Sequence, residues 1–119
     1  MSLAMPDPVG AVLASALDGL TLRQSVIADN IANVDTPSFR ATSVDFESSL
    51  AAAIARGEMP AGGVSPVTAA TDTPVGPNGN NVDLRKESLA AIQSQFQYQM
   101  MTRAVSDRFA LITAAAGIS

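Results

Sequence analysis

The N-terminal third of the chain places apolar side chains at intervals of four and three residues. This seven-residue repeat keeps one seam of a helix facing a partner helix, and Gln24 is its polar member. Asp7 is a suitable N-cap, and Pro8 suits the first helical position, so the pattern predicts a helix from Pro8 to Asn33. The seam consists of Leu13, Leu17, Leu20, Gln24, Ile27, Ile31 and Val34.

The predicted helix ends in the stretch NIANVDTPSF, residues 30–39. Asn33 tolerates the left-handed conformation, and Thr36 is pushed out of the helical region because a proline follows it. We expect two asparagines to close the helix through side-chain hydrogen bonds, Pro37 to redirect the chain, and Phe39 to pin the turn against a neighbouring helix. This predicted turn motif consists of Asn30, Asn33, Asp35, Thr36, Pro37 and Phe39.

A short second helix is predicted after the turn. Thr42 or Ser43 would cap it, and Gly57 would end it. Its apolar positions recur every four residues, as one face of a helix requires. They are Phe46, Leu50 and Ile54.

The segment from 57 to 81 contains five glycines and four prolines. Such a density disfavours any regular element of useful length, so a flexible connection is predicted. It would divide one unit into an N-terminal part at 1–56, a linker at 57–81 and a C-terminal helix at 82–119.

Helical periodicity returns after the linker, with Asp83 as the expected cap. The apolar positions form two stripes, the second turned about 100° from the first, so this helix is apolar on more than one side. We expect the side that its own chain leaves uncovered to contact another subunit. The positions are Leu89, Ile92, Phe96 and Met100 in the first stripe and Met101, Val105, Phe109, Ile112 and Ala116 in the second.

These patterns predict an all-α fold. Two long terminal helices would form a coiled-coil-like hairpin, with a short helix after the N-terminal turn and a flexible middle segment. The chain has four Phe, one Tyr and no Trp, so large anchors for a self-contained core are scarce. The composition suits a chain that completes its burial against neighbouring copies.

Charge and composition exclude several classes of function. The net charge is −4 and the seven basic residues are scattered, whereas nucleic-acid binding needs a clustered basic face. The absence of His and Cys argues against metal, cofactor and nucleophilic chemistry. The longest charge-free run, 88–102, is too short to span a membrane. A cleaved secretory signal is not expected either, since no basic residue precedes an apolar core near the N-terminus.

Two sets of residues invite a sharper hypothesis. Four carboxylates close in sequence would suit acid and base catalysis if a cleft held them, but helix capping and solvated surface explain them better. A Met/Gln face around Met100 and Met101 is equally consistent with an adaptable binding surface and with a plain helix face. The carboxylates are Asp29, Asp35, Asp45 and Glu47.

The stretch ADNIANVDTPSFRA, residues 28–41, resembles the signature A-x-N-I/L-A-N-x-x-T-P-G-Y/F-K/R-A of bacterial flagellar rod and hook proteins. The following VDFESSL and the later NNVDLRKE resemble the FlgB-type family of flagellar basal-body rod proteins within that group. Ser38 stands where the family usually has Gly. If that position needs a positive φ, Ser38 is strained by about 1 kcal/mol.

The resemblance implies a non-enzymatic structural subunit of the proximal rod, required for rod assembly and motility. It implies export through the flagellar type III apparatus without a cleaved signal, followed by assembly in the periplasm. The expected partners are other rod proteins, rod-base components and further copies of the chain, with no cofactor. The alternative is an export-linked helical adaptor, or chaperone-like protein, that binds a secreted partner.

Overall fold

The computed structural model describes residues 8–60 and 63–117. Two long helices run antiparallel. Asn30 near the end of the first helix bonds Glu87 near the start of the last, and Met101 further along the last helix packs against the buried cluster that contains Leu20 of the first. The molecule is elongated, with extents of 62 × 30 × 22 Å. The predicted cap Asp7 lies outside the described residues. The elements are α1 (Pro8–Ala32), β1 (Thr42–Asp45), α2 (Glu47–Arg56), β2 (Val67–Ala70) and α3 (Leu84–Ala115).

The local signals for helix ends are confirmed at several positions. The first helix ends within one residue of the predicted limit. Asp83 caps α3, its carboxylate accepting a hydrogen bond from the Lys86 amide at 3.1 Å. Gly57 ends α2 with a φ of +73°. The fold is therefore mostly helical, as predicted.

A small sheet corrects the all-α prediction. β1 and β2 pair antiparallel, with Thr42 opposite Ala70 and Asp45 opposite Val67. The prediction that Thr42 or Ser43 caps α2 is wrong, since both lie in β1. The N-cap is Phe46, and the carboxylate of Asp45 just before it accepts bonds from the Ser48 amide at 3.0 Å and the Ser48 hydroxyl at 2.7 Å. Two hydrogen bonds lower the pKa of the Asp45 carboxyl below its usual value: the larger effect comes from the Ser48 amide and the next from the Ser48 hydroxyl.

The prediction that 57–81 carries no regular element is also wrong, because β2 lies within it. The glycines and prolines cluster at its two ends and leave residues 67–73 without either type. That stretch is free to pair with β1, and the Thr71 amide extends the contact by donating to the Ala41 carbonyl at 3.1 Å.

The apolar core is small and lies at the junction of α1, β1 and α2. Gly19 of α1 allows the Phe46 ring to lie directly on the helix, since a Cβ there would collide with the ring. The guanidinium of Arg23 covers the same ring, 4.8 Å from its centroid. The buried cluster is Ala16, Leu20, Val44 and Phe46, with Leu22, Val26, Leu50 and Met101 packed against it.

Candidate functional site

The turn after α1 is closed by the side chain of Asn33. Its Nδ2 donates to the Asp29 carbonyl at 2.8 Å, and its Oδ1 accepts from the Thr36 hydroxyl at 3.0 Å. The Thr36 amide donates to the Asn33 carbonyl at 3.1 Å, and the Phe39 amide to the Thr36 carbonyl at 3.2 Å. These successive bonds satisfy the groups that the helix end would leave unpaired. Asp35 and Pro37 lie exposed in this turn, and Phe39 is half-buried.

Asn30 has a different role from the predicted one, because it bonds other elements and not its own helix. Only 1% of its surface is exposed. Its Nδ2 donates to the Thr42 carbonyl and to Glu87 Oε1, both at 2.8 Å, and its Oδ1 accepts from the Thr42 amide at 3.2 Å. One side chain thus joins α1, β1 and α3.

Two further asparagines complete this junction from the far side of the chain. The Asn80 Nδ2 donates to the carbonyls of Asn33 at 2.8 Å and Thr36 at 2.7 Å. The Asn81 Oδ1 accepts from the Ala41 amide at 2.6 Å. Both side chains are buried. Both residues fall in the linker predicted from the sequence. The sequence feature that could have indicated their role is a pair of asparagines two residues before Asp83, the cap of α3.

Together these bonds define the hairpin base, which consists of Asn30, Asn33, Asn80, Asn81 and Glu87 with the backbone of 33–42. It is polar, and all of its side chains except the half-buried Asn33 are buried. The amides of Asn30, Asn80 and Asn81 bond defined groups on distant segments of the chain, whereas the Asn33 amide closes the turn. The hairpin base therefore fixes the angle at which the chain leaves α1 and the rotation of α3 about its own axis.

Ser38 adopts a φ of +64°, the left-handed conformation, whereas Asn33 does not. Asn33 tolerates that conformation but does not adopt it, and the positive φ occurs at the position where the family usually has Gly. The Ser38 amide donates to the Asn78 carbonyl at 2.9 Å, and Ser38 lies against Gly79, where a Cβ would come within 3.2 Å of its Cα. The bond to the neighbouring turn holds a conformation that favours glycine.

The side of α3 that faces α1 mixes polar and apolar side chains. Glu87 and Ser94 are buried, Ala91, Met101 and Val105 are half-buried, and Ser94 Oγ has no hydrogen-bond partner among the described residues. We call these five residues the inner α3 face. Of the predicted α1 seam, Leu20 and Ile27 are buried, and Leu13, Leu17 and Ile31 are half-buried. Ile27 and Ile31 line a groove with Ala91 of α3, whereas Leu13 lines a groove with α2.

The opposite side of α3 is large and apolar, and the chain leaves it uncovered. Leu89 is 57% exposed, Ile92 66%, Phe96 62% and Met100 53%. We call these four residues the outer α3 face. The C-terminal turns continue in the same way, with Phe109 and Ile112 exposed. The structure thus separates the two predicted sets: the α1 seam is largely covered within the chain, and most of the α3 stripes are not.

The principal ion pair lies beside the core. Arg23 donates to Glu47 through two bonds, at 2.8 and 2.6 Å, and also to the Val44 carbonyl at 2.7 Å. The bonds from Arg23 lower the pKa of Glu47 below its ordinary value. A paired guanidinium and carboxylate bridge α1 to the start of α2 in a fixed geometry.

The described residues show no arrangement suited to catalysis. A groove of about 370 Å³ between α1 and α2 has mainly aliphatic walls, including Val12 and Ile54, and does not gather Asp29, Asp35 and their neighbours. Among the described residues, no three acidic side chains are placed to hold a metal ion. None of the three described helices has the length and apolar content that a bilayer crossing requires.

Comparisons with known proteins identify the family of the chain. A family model described as "Flagella basal body rod protein" matches residues 11–40, which cover most of α1 and the turn. The "Flagellar basal body rod protein FlgB" of Borreliella burgdorferi is 35% identical, over 78% of this chain and 84% of the relative. The protein of the same name from Escherichia coli is 34% identical over 86% and 90%, and that from Bacillus subtilis 32% over 82% and 84%. The chain therefore belongs to the FlgB family of flagellar basal body rod proteins.

Proposed function

We propose that this chain is a structural subunit of the proximal rod of the bacterial flagellar basal body, and that it builds the rod through helix faces that only other subunits cover. The observation that carries the proposal is the outer α3 face. Four large apolar side chains, each more than half exposed, line one side of a helix. Burying each of them stabilises a contact by about 1.5–3 kcal/mol, so the face is a strong driver of association.

The hairpin base supports the proposal by supplying rigidity where an assembly needs it. A subunit in a repeating structure must present its faces at one angle, because each error would be repeated at every contact. Buried asparagine bonds specify a single arrangement of α1, β1 and α3, since no other register satisfies all of their donors and acceptors. The turn motif and Asn80 therefore orient the helices for assembly.

The position in the cell and the partners follow as further parts of the proposal. The rod subunit would lie in the periplasm and contact other rod proteins, rod-base components and copies of itself, after passage through the flagellar type III export apparatus. The small apolar core supports such a route, because a chain with few buried anchors is readily kept unfolded for transport.

The adaptor hypothesis is less well supported. Its basis was the Met/Gln face, yet Met101 lies in the inner α3 face and is partly covered. The family comparisons favour a structural rod subunit, which is a non-enzymatic role.

The experiment replaces Phe96 by Glu in the chromosomal copy and measures motility and recovery of the chain in basal bodies. A charge on the outer α3 face should abolish motility while the isolated chain keeps its helical circular dichroism, because Phe96 makes little contact within the chain. Val75→Glu, at an exposed apolar residue of the loop before α3, is the matched control and should remain motile. Normal swimming and normal rods with Phe96→Glu would refute the proposal.

A further inference from the structure

The outer α3 face is bounded by a positive charge at each end. Arg85 and Arg103 fall on the same heptad positions as its apolar residues, so they lie on the same side of the helix. Both are exposed. Neither forms an ion pair with another described residue. The surface that needs a partner is therefore apolar in the middle and basic at its ends.

α1 exposes a second face, which carries short side chains and acidic groups where the outer α3 face carries large apolar side chains and basic groups. Its exposed positions follow each other at spacings of four and three residues, and every side chain on them is short. Asp18 belongs to this row, and Asp29 lies beside it near its C-terminal end, so the face is flat in the middle and carries acidic groups toward its ends. We call it the outer α1 face; it consists of Ala14, Asp18, Thr21, Ser25, Ala28 and Ala32.

We infer that the outer α3 face of one copy packs on the outer α1 face of a second copy held in the same orientation. This inference rests on the proposed function. Large side chains of one helix fill the space above short side chains of the other, which allows close approach of the two helices. The two faces belong to different helices, so each copy can offer one to each of two neighbours. Such a head-to-tail contact continues into a ring or a helical array.

The arginines of the outer α3 face and the aspartates of the outer α1 face are opposite in sign and come near each other when the second copy keeps the axial alignment of α1 and α3 found within one hairpin. Within one chain Asn30 lies opposite Glu87, and Ile27 and Ala91 line the same groove. For residues that lie opposite each other, the residue number in α1 plus the residue number in α3 is therefore nearly constant. A neighbour placed alongside without an axial shift keeps this register. Phe96 then lies opposite Thr21 of the second copy, Arg103 opposite its Ala14 and Arg85 opposite its Ala32. Asp18 and Asp29 are each about one helical turn from the nearer arginine, about 5 Å along the axis, which an extended arginine side chain can span.

Side-chain size disfavours the alternative in which two outer α3 faces pair about a two-fold axis. Two rows of large side chains hold the helices further apart than a row of large side chains packed on a row of short ones. The acidic and short-chained α1 face is the better partner.

Disulfide cross-linking tests the contact, since the chain has no native cysteine. Copies carrying only Ser25→Cys and differently tagged copies carrying only Ile92→Cys are produced together in cells that lack the unmodified chain. Basal bodies are then isolated and oxidised. We expect cross-linked dimers that contain both tags, and no dimers when either variant is produced alone.

The outcomes separate the inference from the proposed function. Dimers formed through two Ile92→Cys copies, or no cross-link in basal bodies that contain both variants, would overturn the inference and leave the rod subunit intact. Variants absent from the basal bodies of motile cells would overturn both.

Charge reversal provides an independent arm with an internal rescue. Asp18→Arg or Arg103→Asp alone should strongly reduce the mixed cross-link, and the two together in every copy should restore it. Arg56→Asp, at an exposed arginine at the end of α2, is the matched control and should leave the cross-link unchanged. Failure of the double reversal to restore the cross-link would contradict the Asp18–Arg103 register.

Discussion

At the hairpin base polar side chains are buried and bonded, whereas on the outer α3 face large apolar side chains are left in solvent. The usual distribution of residue types is thus reversed in both regions. The base fixes geometry within one chain, because its asparagines have defined partners on α1, β1 and α3. The outer α3 face contributes little to the stability of one chain, so its role is to contact other subunits after assembly. Substitutions should therefore affect folding in the first region and association in the second.

The largest effect on folding is expected from Asn30→Ala. It removes three hydrogen bonds and leaves the buried Glu87 without its amide partner, which should lower the free energy of unfolding by about 3 kcal/mol. Urea unfolding of the isolated chain measures it. Gln93→Ala, at an exposed polar residue of α3, should change the value by less than about 0.5 kcal/mol. Equal effects at the two positions would contradict the assigned role of the base.

Gly19→Ala tests the neighbouring apolar contact. The added methyl group would collide with the Phe46 ring, so unfolding free energy should fall by about 2 kcal/mol despite the better helix propensity of alanine. Gly57→Ala has open space around it and only an unfavourable positive φ, so we expect a loss of about 1 kcal/mol there. A stabilised Gly19→Ala chain would show that Phe46 does not pack on α1 as described.

The ion pair beside the core should give a pH-dependent contribution. Because Arg23 lowers the pKa of Glu47 from its ordinary 4.5, the pair stabilises the fold above that value and loses its contribution as the pH falls through the lowered pKa. Glu47 is partly exposed, so the expected contribution is about 0.5–1 kcal/mol. The difference in unfolding free energy between the unmodified chain and Glu47→Gln, measured from pH 7 to pH 3, should shrink toward acid. A constant difference would contradict it.

The smallest folding effect is expected from Ser38→Gly, and it has the opposite sign. Relief of the positive φ should raise the free energy of unfolding by about 0.5 kcal/mol, since the greater freedom of glycine in the unfolded chain offsets part of the gain. Thermal unfolding measures the shift. Ser43→Gly, in a strand with ordinary extended backbone, should instead lower the stability.

The sequence was a good guide wherever a few neighbouring residues decide the structure. Asp83 and Gly57 set helix ends through capping and φ preferences, and both were predicted. The β1–β2 pair was missed because its partners are more than twenty residues apart, and the short glycine-free stretch at 67–73 gives little signal alone. The roles of Asn80 and Asn81 were missed for the same reason.

The rotation of α3 was also beyond the sequence. Periodicity identified an apolar stripe at Leu89, Ile92 and Phe96, but could not say which side α1 would cover. Non-local contacts decide the rotation: the Asn30–Glu87 bond and the packing of Met101 turn the inner α3 face toward α1. The stripe that appears suited to an intramolecular seam is consequently free for other subunits.

Cysteine accessibility at two positions on opposite sides of α3 tests the central claim most directly. Ile92→Cys and Ser94→Cys are labelled with a polar maleimide in the isolated chain and in intact basal bodies. We expect Ile92→Cys to react in the isolated chain and to be protected in basal bodies, while Ser94→Cys is protected in both because its site is fully buried. Equal labelling of Ile92→Cys in the isolated chain and in basal bodies would show that no subunit covers the outer α3 face, and would contradict the account.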